Sequence, residues 1–114
     1  MHELALAKRM IDIIEGVSSQ HGGARVLRAR LLLGELGCAE PETLTFAFRV
    51  VRRGTCADCC DLEISRVPLR LRCRSCSVVQ EGGDYLGTCA ACGSIGFEVL
   101  EGRELRLESV EIEE

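Results

Sequence analysis

The chain of 114 residues contains no tryptophan, one tyrosine (Tyr85) and three phenylalanines, so it has little with which to stack bases of a single-stranded nucleic acid. Lysine is almost absent as well. Lys8 stands alone among 14 basic residues, the rest being arginine, and the formal net charge is -4. Phosphate backbones are bound by clustered positive charge, so this balance argues against nucleic acid as the main partner. Arginines interleaved with carboxylates are expected to form ordinary pairs across a solvated surface. No apolar run approaches the roughly 20 residues that cross a bilayer. Glu3, rather than a basic flank, precedes the first apolar stretch, so a cytoplasmic protein without membrane contact is expected. A phosphate loop of the form GxxxxGK followed by Ser or Thr is missing, as are a Ser-His-Asp set and paired catalytic acids. With room for one main core and no large cleft, the chain is expected not to be an enzyme.

What is present is a regular alternation of helix and strand signals. From Glu3 to about Gln20, Ala7, Met10, Ile14 and Val17 recur at three- and four-residue steps, and Leu6 and Ile13 widen the stripe. This predicts an amphipathic helix, ended by His21-Gly22-Gly23, where glycine tolerates the left-handed backbone beyond a helix. His21 is expected near that helix end, where positive charge is favoured. Over Arg25 to Glu35, Leu27, Ala29, Leu31 and Leu33 alternate with Arg28 and Arg30, predicting a strand. Gly34 and Gly37 bracket a turn. Pro41 and Glu42 then open a second helix to about Arg53, with Leu44, Phe48 and Val51 toward the core. Further strands are predicted at Asp61 to Val67 and from Leu69 toward Cys73. Phe97 to Leu100 and Leu105 to Ile112 read as a hairpin turning at Gly102, with a bulge before Val110. The expected fold is α+β, two helices packed on one face of a small β-sheet, with an inserted zinc-ribbon or rubredoxin-like module built on four cysteines. Residues 1–70 plus 97–114 would form a discontinuous main domain and residues 71–96 the module.

Cys73-Arg74-Ser75-Cys76 and Cys89-Ala90-Ala91-Cys92 are two CxxC motifs separated by twelve residues. Two residues between cysteines let one tight turn aim both sulfurs at one ion, and two such turns complete a tetrahedron of thiolates. Four thiolates leave no open coordination position, so the ion would be structural, and Zn(II) is the expected one. A dithiol redox pair or an iron centre would use the same spacing. Cys56-Ala57-Asp58-Cys59-Cys60 adds a third CxxC without a second pair; these cysteines, like Cys38, are expected to behave as small hydrophobic residues.

Met1-His2-Glu3 gains meaning from its position. A starting methionine is normally trimmed only before a small residue, so the free amine is expected on Met1. That amine and the His2 amide nitrogen can close a five-membered chelate ring, and the His2 imidazole adds a six-membered one. Such a nitrogen set suits Ni(II) or Cu(II), whereas the sulfur set suits zinc. It must compete with protons, so its affinity should fall on acidification. Taken alone, His2 is also what a frayed terminal residue looks like.

Taken together, these features resemble the HypA/HybF family, nickel-insertion accessory proteins of NiFe hydrogenase maturation. The likeness covers nearly the whole chain. It rests on Met1-His2-Glu3-Leu4 opening a helix, Gly34-Glu35-Leu36, Pro41-Glu42 followed by Leu44, Phe46 and Phe48, Gly54-Thr55, Leu62-Glu63-Ile64 running into Val67-Pro68, and the paired CxxC motifs. The resemblance implies a nickel metallochaperone in which His2 is the key Ni(II) ligand, Glu3 shapes that site, and Cys73, Cys76, Cys89 and Cys92 hold Zn(II). It implies as partners the nickel-handling GTPase HypB and the hydrogenase large-subunit precursor, and in some members nickel also goes to urease and its accessory proteins. Family members often carry Asp before the proline where this chain has Glu40, and the Cys56, Cys59 and Cys60 cluster departs from the usual pattern. A monomer and a strand-exchanged dimer both fit. Two other functions fit parts of the sequence: a zinc-ribbon adaptor, which leaves Met1-His2-Glu3 unused, and a thiol oxidoreductase, which needs a reactive thiol outside a closed metal site.

Overall fold

A computed structural model of the chain describes residues 2–37 and 39–114; Met1 and Cys38 lie outside the described residues. The elements are α1 (Glu3–Ser19), β1 (Val26–Gly34), α2 (Pro41–Val51), β2 (Asp61–Val67), β3 (Arg70–Cys73), β4 (Val79–Glu81), β5 (Phe97–Glu101) and β6 (Leu105–Ile112). They form two three-stranded sheets, ordered β2-β1-β6 and β4-β3-β5. The α+β class with two helices is as expected. The chain divides into a unit of residues 1–32, 38–65 and 106–114 and a unit of residues 33–37 and 66–105.

In the first unit the core is built by one face of each helix. Ala7, Met10, Ile11 and Ile14 of α1 meet Leu44, Ala47 and Phe48 of α2 and Val26, Ala29 and Leu31 of β1, with Leu62, Ile64, Leu107, Val110 and Ile112 partly buried around them. Ile11 takes the core position expected for Ile13, which is 55% exposed. At 3.6 residues per turn, Ile13 falls about 100° from Ile14 and leaves the buried face. On β1, Ala29, Leu31 and Leu33 are buried as expected, but Leu27 is exposed and Val26 buried in its place, so the alternation slips at the start of the strand, where the Val26 N–H binds the Cys56 carbonyl at 2.9 Å. The end of α1 follows the expectation: Gly22 and Gly23 have φ of 72° and 77°, and the His21 ring lies 2.9 Å from the Val17 carbonyl.

On the sheet surface, Arg28 and Arg30 of β1 pair with Glu63 of β2 and reach Glu111 and Glu108 of β6 at 3.1–3.8 Å. The arginines thus pair across strands as expected. Exposed pairs of this kind contribute little stability individually.

The second unit has its own small core of Leu69, Leu71, Cys73, Cys89 and Phe97, flanked by Tyr85 and Val99. Here the structure departs from the expected Gly102 hairpin. β5 pairs with β3, setting Cys73 opposite Phe97 and Leu71 opposite Val99, whereas β6 belongs to the other sheet. The reason is a segment distant in sequence. Gly102 has φ 120°, its carbonyl accepts the Leu36 N–H at 2.8 Å, and the Glu104 carbonyl accepts the Gly34 N–H at 2.8 Å. The backbone that would close a hairpin is therefore engaged by the Gly34–Leu36 turn. β4 was not anticipated; it pairs with β3 from Arg72↔Val79 to Arg70↔Glu81, which makes the first cysteine knuckle the loop of a hairpin.

Candidate metal centres

Cys73 ends β3 and Cys76 follows within the hairpin loop, while Cys89 and Cys92 sit in a second loop held by a bridge between Thr88 and Ile95. The two knuckles repeat one backbone plan. Cys73 N–H binds the Val78 carbonyl at 2.9 Å and Ser77 N–H the Cys73 carbonyl at 2.9 Å; Cys89 N–H binds the Ser94 carbonyl at 2.8 Å and Gly93 N–H the Cys89 carbonyl at 2.7 Å. Ser77 and Gly93 occupy equivalent left-handed positions, φ 66° and 76°. An L-residue pays roughly 1–2 kcal/mol for that backbone. Ser77→Gly is therefore expected to stabilise the protein by about 1 kcal/mol in urea unfolding, with metal content unchanged.

All four ligand sulfurs lie within 4.8 Å of one another, and among the described residues this is the one His, Cys, Asp and Glu cluster able to hold a metal ion. The Cys73–Cys92 and Cys76–Cys89 sulfur separations are both 3.7 Å. A tetrahedral ion with sulfur bonds of about 2.3 Å has an edge of about 3.8 Å, so the cage fits an ion of zinc's size. Cys73 and Cys89 are buried; Cys76 and Cys92 are exposed. Hydrogen bonds already favour thiolates at two positions. N–H groups of Cys76 and Ser75 lower the Cys73 thiol, and the hydroxyl and N–H of Ser94 lower Cys92 to about 6. At Cys76 the Val78 N–H favours the thiolate, but lost hydration and the neighbouring sulfurs raise it to about 11. Binding a cation here displaces protons from whichever of the four thiols still carry them, so affinity falls on acidification.

At the other centre, His2 stands just before α1 and is exposed. Its carbonyl accepts the Leu6 N–H at 2.8 Å, and its side chain makes no capping bond. The first N–H groups of a helix have no intrahelical acceptor, so the His2 amide is not tied into the ladder. Glu3, beside it, is only 5% exposed, and its Oε2 accepts the Glu40 N–H at 3.0 Å. The start of α1 is thus fastened to the head of α2. Met1, the remaining expected nickel ligand, lies outside the described residues.

The sequence reading missed the role of Glu40. Its carboxylate accepts the N–H groups of Glu42 at 2.9 Å and Thr43 at 3.3 Å, so it caps α2 directly before Pro41. Glutamate is not among the usual capping residues, and the available signal was its position before a helix-opening proline. Glu40→Ala is expected to cost about 1 kcal/mol in urea unfolding. The Glu3 contact should persist, because it uses the Glu40 backbone.

The fold and the cysteine cluster define a small protein with a two-helix α+β unit and a four-cysteine knuckle unit able to hold a metal ion. A family profile described as "Hydrogenase/urease nickel incorporation, metallochaperone, hypA" matches residues 1–112, and the chain belongs to this HypA family. This is a family of metallochaperones and maturation factors, not of enzymes. The chain is 40% identical over 113 residues to "Hydrogenase maturation factor HypA" of Acidithiobacillus ferrooxidans, covering 99% of this chain and all of that protein. It is 39% identical over 111 residues to "Hydrogenase maturation factor HybF" of Klebsiella pneumoniae, covering 97% of this chain and 98% of that protein. Its fold matches the solution structure of the Ni metallochaperone HypA from Helicobacter pylori with a TM-score of 0.68 at 24% identity, covering 98% and 97% of the two chains. No helix among the described residues is long and apolar enough to cross a membrane.

Proposed function

We propose that this chain takes up Ni(II) at its amino terminus and delivers it to the large-subunit precursor of a NiFe hydrogenase, while Cys73, Cys76, Cys89 and Cys92 hold a resident Zn(II). The observation that carries the nickel reading is the corner where an exposed His2, free of capping bonds, precedes a Glu3 carboxylate anchored by the Glu40 N–H, in a chain of the HypA family. His2 supplies imidazole and amide nitrogens, the Met1 amine a third nitrogen, and Glu3 shapes the corner. Three nitrogens favour nickel or copper over zinc, and four thiolates favour zinc. Delivery takes place in the cytoplasm with the GTPase HypB as partner, and any GTP hydrolysis that accompanies it belongs to that partner, since the GxxxxGK pattern does not occur in this sequence. The family description also names urease, which makes urease a second destination for the same cargo.

Calorimetric titration of zinc-loaded, untagged protein tests the reading. His2→Ala should weaken nickel binding by at least about 100-fold, near 2.7 kcal/mol, and leave one zinc per chain. Equal nickel affinity in the variant would sink the assignment.

A further inference from the structure

Cys56, Cys59 and Cys60 belong to neither metal centre, and the structure separates their roles. The segment from Thr55 to Cys60 is wound into two overlapping turns, closed by the Asp58 N–H on the Thr55 carbonyl at 3.1 Å and the Cys60 N–H on the Ala57 carbonyl at 3.0 Å. Thr55 braces it, donating to the Arg52 carbonyl at 2.6 Å and accepting the Ala57 N–H at 3.1 Å. The Cys56 carbonyl is pinned by the Val26 N–H at 2.9 Å. Cys56 is the second residue of the first turn and Cys59 the third residue of the second, so the pair spans the overlap of the two turns with the CxxC spacing that dithiol-disulfide pairs use.

Cys60 is fully buried, its thiol faces the Asp61 carbonyl at 3.5 Å, and desolvation raises its pKa to about 11. That is the inert hydrophobic cysteine expected from the sequence. Cys59 is different: it is exposed, and Arg25 Nη1 lies 3.6 Å from its sulfur. Arg25 is itself held in place, its carbonyl accepting the Glu113 N–H at 2.8 Å. The guanidinium donates to this accessible sulfur, and its charge opposes a metal cation there. Cys56, half-buried, is the other member of the same CxxC turn.

We propose that Cys59 is an oxidation-sensitive thiol with Cys56 as its resolving partner, closing a reversible Cys56–Cys59 disulfide when the protein meets a hydroperoxide. The Cys59 thiolate attacks one peroxide oxygen, the O–O bond breaks, hydroxide leaves and a sulfenic acid forms. The Cys56 sulfur then attacks the Cys59 sulfur, the S–O bond breaks and water departs with the Cys56 proton. Two thiols and one hydrogen peroxide become one disulfide and two waters. A small dithiol returns the two electrons by exchange through a mixed disulfide.

The test treats the full-length, zinc-loaded chain with hydrogen peroxide, blocks remaining thiols by alkylation and maps the unreduced tryptic peptide 54–66, released by cleavage after Arg53 and Arg66. The expected product has lost two hydrogens, carries its one alkyl group on Cys60, and comes from protein that has kept its zinc. Cys59→Ser should abolish it, Cys60→Ala should retain it, and Arg25→Gln should slow its formation about three- to tenfold. A link through Cys60, oxidation of Cys73 to Cys92 with zinc loss ahead of this peptide, or protection of Cys56 and Cys59 by a second equivalent of zinc would each overturn the proposal. Should Cys60→Ala fail to fold, the position of the alkyl group in the wild-type peptide decides the pairing.

Discussion

Stripping the proposed zinc with a chelator, or replacing Cys89 with serine, is expected to unfold residues 66–105 while α1 and α2 remain folded. Apart from the two proposed ligands Cys73 and Cys89, the core of that unit consists of Leu69, Leu71 and Phe97. Three such side chains make a small core for a unit of that length, so little apolar burial orders it in the absence of an ion. A structural zinc site supplies folding free energy outright, and its loss removes what draws the two knuckles together. Hydrogen exchange checks this directly. Amides of Leu71, Cys73 and Phe97 should lose protection on chelation, while those of Met10 and Ile14, whose core contains no zinc ligand, should keep it. Simultaneous loss in both sets would show that zinc stabilises the whole chain as one cooperative body.

Gly34→Ala is expected to be nearly as damaging, although it touches no ligand. A Cβ on Gly34 would lie 2.1 Å from the Gly102 oxygen and 2.2 Å from its carbonyl carbon, both backbone atoms that cannot rotate away. Relief requires separating segments joined by the Gly34–Glu104 and Leu36–Gly102 hydrogen bonds. A loss on the order of 4 kcal/mol is expected, at the severe end for single substitutions. Gly16→Ala is the control with the opposite sign. It lies in α1 with no atom within 4 Å of the added Cβ, so the substitution should stabilise by about 0.5–1 kcal/mol. Urea midpoints of the two variants should move in opposite directions, and a neutral Gly34→Ala would contradict the close approach.

Features that one short stretch of sequence determines were legible. The two helices, β1, β2 and β3 follow from apolar periodicity and breakers, and the convergence of Cys73, Cys76, Cys89 and Cys92 follows from their spacing. Features set by a distant partner were not. The Gly102 turn looks like a hairpin until Gly34 and Leu36 hydrogen-bond across it. β4 spans only Val79–Glu81 and is defined by pairing with β3, so no periodicity could mark it. Glu40 reads as a surface acid until its carboxylate is seen to satisfy the first N–H groups of α2. The exposure of Cys59 beside Arg25 depends on two segments that adjoin only in three dimensions.

The charges on the first sheet also bear on how its strands are held. Arg28 and Arg30 stand on the inner strand, and their carboxylate partners Glu63, Glu108 and Glu111 on the two outer strands. The two outer strands are thereby joined to the inner one by side-chain charge as well as by their backbone bonds. Because this attraction acts through solvent, its share of the sheet's cohesion should shrink in concentrated salt.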